Sequence, residues 1–96
     1  MIDEKDKNKI LHVIQSVLPD VKVYLFGSQA TGKARQSSDI DIAVERDTPI
    51  SRFELAEIKN MLENSRLLKK IDIVDINDIN EDFKKEILKT RVIWKD

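Results

Sequence analysis

Hydrophobic residues follow two different spacings along the chain, and stretches with each spacing alternate. Apolar residues three or four positions apart are typical of amphipathic helices, and apolar residues at every second position are typical of strands. The pattern predicts helices over 3–18, from 51 to between 64 and 70, and over 80–89, a short helical turn over 29–31, and strands over 21–26, 39–45, 70–76 and 91–94. This order predicts an α+β fold, a small mixed sheet with helices packed on one face.

The predicted helix that begins at residue 51 has a clear start signal. Ser51 and Glu54 stand three positions apart, as in a capping box, and Asn80 is placed to cap the last helix. Phe53 and Phe83 lie in the first turns of these two helices, and we expect both rings to belong to the core.

Composition narrows the classes of function. The chain has 96 residues, a formal net charge of -1 and no cysteine, so we expect one domain over 1–96 without disulfides or thiolate metal sites. Direct nucleic-acid binding over a large surface is not expected, because it normally requires an excess of basic residues. The charged N-terminus and the lack of a long apolar run predict a cytoplasmic protein without a membrane anchor.

The stretch FGSQATGKA, over 26–34, is the first candidate for chemistry. It reads Gly-x-x-x-x-Gly-Lys, as a P-loop does, but Ala34 stands where a P-loop needs Ser or Thr to hold magnesium. A polar stretch follows instead of a long helix, and the chain is short for a P-loop domain. The P-loop interpretation therefore fails.

Two acidic residues after this stretch provide the metal ligands that a P-loop would lack. Asp39 and Asp41 stand two apart on a predicted strand, so their carboxylates project from one face. Adjacent carboxylates repel each other unless a cation lies between them, and Mg²⁺ prefers such oxygen ligands together with substrate phosphates. The third acid is Asp72 or Asp75, and the pattern favours Asp72, because Ile71 and Ile73 then both face the core.

Gly27 and Ser28 are the candidate phosphate-binding residues. They end a strand and begin a helical turn, where backbone N–H groups and a hydroxyl are available to an anion. Gly27 would let phosphate oxygens approach the backbone closely. Phosphates at this turn and magnesium at the acidic pair would form two halves of one site.

The pattern Gly27-Ser28, ten residues, Asp39-Ile40-Asp41 and a later strand acid, Asp72, resembles the nucleotidyltransferases of the DNA polymerase β superfamily. LFGSQATGKARQSSDIDIAVE is similar to the minimal nucleotidyltransferases of bacteria and archaea, which contain little beyond the catalytic core. The resemblance implies transfer of AMP from ATP to a hydroxyl with two Mg²⁺ ions, the three acids acting as metal ligands and catalytic residues.

The resemblance also implies roles for other residues and for a partner. Gly27 and Ser28 would hold the phosphates, and Lys33 or Arg35 would neutralise their charge, a role for which simple solvation of either side chain is an equal alternative. The implied partner is a HEPN-domain ribonuclease toxin, whose tyrosine would receive AMP, so that the protein would act as an antitoxin. A binding-only antitoxin and an aminoglycoside-type small-molecule nucleotidyltransferase are the alternatives, and a homo- or hetero-oligomer is compatible with either.

Overall fold

A computed structural model describes residues 2–33, 39–67 and 69–96 of the chain. The helices and strands agree closely with those predicted from the sequence. In chain order they are α1 (Glu4–Val17), β1 (Lys22–Phe26), α2 (Ser28–Thr31), β2 (Ile40–Glu45), α3 (Arg52–Glu63), β3 (Ile71–Asp75), a 3-10 turn (Ile76–Asp78), α4 (Glu81–Thr90) and β4 (Val92–Lys95).

The four strands form one mixed sheet in the order β3-β2-β1-β4. β1 pairs antiparallel with β2 and with β4, whereas β2 and β3 run parallel. Of the two antiparallel pairs, β1–β2 joins strands close in sequence and β1–β4 joins the first and last strands. The parallel pair is joined through α3, as a crossover connection requires. The α+β fold class predicted from the sequence is confirmed.

The sheet has a separate apolar cluster on each face. On one face α1 and α3 cover a large cluster that includes Val23, Leu25, Ile42, Val44 and Ile73. The alternate residues Tyr24, Phe26 and Ala43 form a second cluster with Ile76 and with Ile87 of α4. The expectation that all helices pack on one face is therefore wrong in one respect. α4 lies on the other face, because Tyr24 and Phe26 make that face of β1 apolar as well.

The helix caps match their predicted signals, but two aromatic residues do not lie where expected. Ser51 and Glu54 form a complete capping box at the start of α3. Phe53 is nevertheless 87% exposed and Phe83 is 40% exposed. Phe53 precedes the buried stripe through Ile58 by five residues, about 500° of helical rotation, so its ring points away from the core. Across the described residues, no helix has the length and apolar character needed to cross a membrane.

Candidate active site

Strand register assembles the site on the face of the sheet that carries α4. Asp41 of β2 lies directly opposite Phe26, the last residue of β1, and in register with Asp72 of β3. Residues in register on neighbouring strands project from the same face at close distance. Asp41 therefore lies between the end of β1 and Asp72, and Gly27 follows Phe26 at once.

Gly27 lies so close to Asp41 that a side chain at position 27 would have to displace the Asp41 carboxylate. It adopts a left-handed φ of 73°, which glycine accepts without strain. A Cβ atom built on Gly27 would overlap the Asp41 Oδ2 atom and lie 3.2 Å from its Cγ. The glycine thus lets the acidic side chain lie against the backbone of the turn, which joins the two halves of the predicted site.

The turn after Gly27 is a single helical turn held by its own backbone. The N–H groups of Ala30 and Thr31 donate to the Gly27 carbonyl at 3.1 and 3.2 Å, and the Lys33 N–H donates to the Ser28 carbonyl at 3.1 Å. Gly32 ends the turn in the left-handed conformation. Ser28 therefore stands at the first position of α2, next to the contact between Gly27 and Asp41.

The carboxylate of Asp41 is in an unfavourable electrostatic position. Partial burial raises its pKa above the ordinary value, and the nearby charges of Asp72 and Asp39 raise it further. Each cause disfavours the ionised form of the side chain. A cation beside Asp41 would stabilise its ionised carboxylate, so Asp41 is a suitable ligand for a cation.

Carboxylate oxygens are suitable ligands for Mg²⁺, although the acids alone do not form a complete metal site. Among residues 2–33, 39–67 and 69–96, no group of three or more His, Asp or Glu side chains is assembled as a metal site. Mg²⁺ typically binds one or two carboxylates and completes its shell with water and substrate phosphates. Carboxylates that are coupled by charge beside a phosphate-binding turn fit this mode of binding.

Three other residues were considered for the site, and their positions differ. Asp75, the alternative to Asp72, is 8% exposed, and its carboxylate accepts a hydrogen bond from the Asn77 N–H at 3.0 Å. It is in register with Val44, on the strand face opposite to Asp72 and Asp41. Lys33 is exposed just after the turn. Arg35 lies outside the described residues.

Two aromatic residues next to the acids, Phe26 and Phe83, were not predicted to be part of the site. The buried ring of Phe26 makes an edge contact with the ring of Phe83, at 5.7 Å between centroids and an interplanar angle of 75°. A signal was present, because Phe26 directly precedes Gly27 on the same strand face as Lys22 and Tyr24. A separate cavity of about 640 Å³ lies at the other end of β2, around Arg46 and Pro49, and is remote from these acids.

This arrangement can hold a polyphosphate and a divalent cation side by side. The Gly27–Ser28 turn offers backbone N–H groups and a hydroxyl for the phosphates, and the carboxylates offer oxygens for the cation. Phosphoryl and nucleotidyl transfer depend mainly on such positioning and on neutralisation of charge. The class of protein that the fold and the site define is therefore a nucleotidyltransferase.

The chain belongs to the Polymerase beta, Nucleotidyltransferase family, whose sequence profile matches residues 8–96. A relative from Haemophilus influenzae, named a probable protein adenylyltransferase, MntA, is 32% identical over 81 residues, which are 84% of this chain and 71% of that protein. A protein adenylyltransferase MntA from Shewanella oneidensis is 35% identical over 80 residues, which are 78% of this chain and 54% of that protein.

A solved structure with the same fold is the crystal structure of a toxin–antitoxin with AMP-PNP. Its matching chain is 26% identical to this one with a TM-score of 0.80, and the match covers 95% of this chain and 74% of that chain. That complex contains AMP-PNP, an analogue of ATP, which agrees with a nucleotide as the substrate of this family.

Proposed function

We propose that this protein transfers AMP from ATP to a tyrosine hydroxyl of a HEPN-domain ribonuclease toxin and so acts as its antitoxin. The observation that carries the proposal is the strand register, which puts Asp41 between the Gly27 turn and Asp72. The adenylyltransferase names of two relatives and the toxin–antitoxin complex with AMP-PNP support it. ATP and a ribonuclease target both imply a cytoplasmic location.

The proposal assigns a role to each residue of the site. Asp39, Asp41 and Asp72 hold two Mg²⁺ ions, while Gly27 and Ser28 hold the β- and γ-phosphates of ATP. Lys33 and Arg35 are assigned to neutralise charge on the phosphates. The bound magnesium supplies charge neutralisation at the triphosphate and lowers the pKa of the acceptor hydroxyl.

The transfer balances without any further reactant. The phenol oxygen of the acceptor bonds to the α-phosphorus, and the bond from that phosphorus to the bridging oxygen of the β-phosphate breaks. Pyrophosphate leaves towards the Gly27–Ser28 turn with the electron pair of the broken bond. Asp72 accepts the phenol proton and then passes it to water.

The acceptor has to come from another chain. The only tyrosine of this protein, Tyr24, is 3% exposed, and its hydroxyl donates to the Glu45 carboxylate at 2.5 Å. Burial and this hydrogen bond raise the pKa of Tyr24 to about 12, so its phenol resists ionisation. The side chain is unsuited to be an acceptor, which supports transfer to a partner protein.

The direct test is to incubate the protein with ATP labelled at the α-phosphate, Mg²⁺ and its HEPN partner. We expect label on a partner tyrosine together with release of pyrophosphate, and loss of both with the double change Asp39→Ala and Asp41→Ala. Asp47→Ala, at an exposed position beyond the other end of β2, is the control that should stay active.

Two results would overturn this proposal. Neutralisation of the toxin by the Asp39→Ala/Asp41→Ala protein would identify a binding-only antitoxin. Label on an aminoglycoside, with none on the partner protein, would identify a small-molecule nucleotidyltransferase.

A further inference from the structure

Asp41 and Asp72 lie in a row across neighbouring strands, next to the second apolar cluster on the same face of the sheet. Two residues beyond Asp41 along β2 is Ala43, which is fully buried in the second cluster. Two residues beyond Asp72 along β3 is Val74, which packs against that cluster. Because Ile87 of α4 belongs to this cluster, α4 packs on the sheet face next to the acids.

Phe83 is the aromatic residue of α4 at this border. Its backbone N–H donates to the Asn80 Oδ1 atom at 2.8 Å, which fixes its position in the first turn of the helix. Its ring is 40% exposed and rests at 75° against Phe26, which is itself only 8% exposed. Phe26 lies opposite Asp41, so Phe83 is one side chain removed from the acids. The Phe83 ring is therefore fixed in position and partly exposed, so a ligand beside the acids could contact it.

The direction of the transfer indicates which part of the substrate meets this ring. In the proposed function, pyrophosphate leaves at the Gly27 end of the row and the acceptor approaches at the Asp72 end. The attacking oxygen, the α-phosphorus and the leaving oxygen are roughly in line during such a transfer. The nucleoside is attached to the α-phosphorus as well, but it lies outside this line and extends to one side of it. α4 lies on one of the available sides.

We infer that Phe83, supported from below by Phe26, is the surface on which the purine base of the nucleotide stacks. The inference rests on the proposed function for the position of the phosphates. Stacking on an aromatic ring tolerates any base, since every base has a π-face, so Phe83 supplies affinity for the nucleoside and not for one purine in particular.

The test compares binding of a whole nucleotide with binding of its phosphates alone. Calorimetric titrations use Mg²⁺ with AMP-PNP and, separately, Mg²⁺ with inorganic tripolyphosphate, on wild type, Phe83→Ala, Phe83→Trp and Phe53→Ala. Phe53, at 87% exposure on α3, is the matched control for loss of an exposed phenylalanine. We expect Phe83→Ala to weaken AMP-PNP about tenfold, to leave tripolyphosphate unchanged, and Phe83→Trp to restore AMP-PNP binding.

Other results overturn the inference. Equal weakening of both ligands by Phe83→Ala would show a distorted site, and unchanged AMP-PNP affinity would show that the base lies elsewhere. A higher KM for the protein acceptor with unchanged AMP-PNP affinity would assign the ring to the acceptor. If the binding result holds but no label reaches any partner, the inference stands and the proposed transfer fails. If wild type binds neither ligand, both fail.

Discussion

At the scale of single residues, the two glycines of the chain can be compared directly. Both have a positive φ, but Gly32 (φ 77°, ψ 11°) lies in the left-handed helical region, where alanine is strained by about 1 kcal/mol, whereas Gly27 (φ 73°, ψ -156°) lies in a region that is essentially restricted to glycine. Only at Gly27 would the added methyl group also meet Asp41, because nothing lies within 4 Å of a Cβ on Gly32. The backbone cost of alanine is therefore larger at Gly27, and only there does a steric cost at the site add to it.

We expect Gly27→Ala to lower AMP transfer at least a hundredfold and to cost more stability than Gly32→Ala, which should change AMP transfer less than threefold. A methyl group at Gly27 has to displace the Asp41 carboxylate, and a displacement of this size is enough to disrupt catalytic positioning. Rates of label transfer and urea midpoints of both variants provide the measurement. Equal activity of the two variants would mean that the contact between Gly27 and Asp41 has no catalytic importance.

Asp41 itself illustrates a conflict between stability and function. Its pKa is raised in the folded protein by burial and by the charges of Asp72 and Asp39, so the folded state binds this proton more tightly than the unfolded state. Stability is therefore lost as the pH rises through the pKa of Asp41. Above that pKa the ionised side chain destabilises the fold, unless a cation is bound.

The Asp41→Asn variant should be more stable than wild type at pH 7 in magnesium-free buffer and inactive in AMP transfer. We expect a gain of about 0.5 kcal/mol, since a partly exposed carboxylate is screened by water. The gain should disappear at a pH low enough to protonate Asp41. Urea unfolding at both pH values measures it, with the exposed residue change Asp47→Asn as control. A variant less stable than wild type at pH 7 would contradict the direction of the shift.

At the scale of elements, α3 depends on its first turn. The Ser51 hydroxyl accepts from the Glu54 N–H at 3.1 Å, and the Glu54 carboxylate accepts from the Ser51 N–H at 2.9 Å. Arg46 pairs with the same carboxylate at 3.3 Å. These contacts, the Ser51 N–H first and Arg46 next, hold the pKa of Glu54 below its ordinary value. The loop before α3 is thereby tied to the helix.

Loss of the Ser51 cap should affect stability and leave activity intact, because α3 covers the face of the sheet that the acids do not use. Ser51→Ala should lower the free energy of unfolding by about 1 kcal/mol, and Ser51→Gly by only about 0.3 kcal/mol. Chemical denaturation measures both losses, and the transfer assay should show unchanged rates. Equal losses for the two variants would indicate that the side-chain cap contributes little.

The elements also show where prediction from sequence succeeds and where it stops. Periodicity was enough to predict all four strands, and the alternation in β3 favoured Asp72 over Asp75 because Ile71 and Ile73 need the core. Tyr24 and Phe26 indicate that the second face of β1 is covered as well, but periodicity does not specify that α4 is the element that covers it. The close contact of Gly27 with Asp41 depends on register, which no local pattern in the sequence specifies.

At the scale of the whole molecule, the site is divided between parts that come together only through the sheet. The predicted phosphate turn follows β1, Asp39 directly precedes β2, Asp41 lies in β2, and Asp72 lies on β3. In the described part of the chain the acids form no finished metal cluster. Binding of magnesium and nucleotide should therefore be strongly coupled, because each ligand supplies part of the binding shell of the other.

This coupling is measurable as thermal stability. Mg²⁺ alone and AMP-PNP alone should each change Tm by less than about 2 °C, whereas together at a hundred times Kd they should stabilise the fold by about 2.7 kcal/mol. For a domain of this size that stabilisation corresponds to a rise in Tm of more than about 10 °C. Gly27→Ala should abolish the rise and Gly32→Ala should retain it, since only the first change reaches Asp41. A full rise with magnesium alone would mean that the acids form a complete metal site without nucleotide.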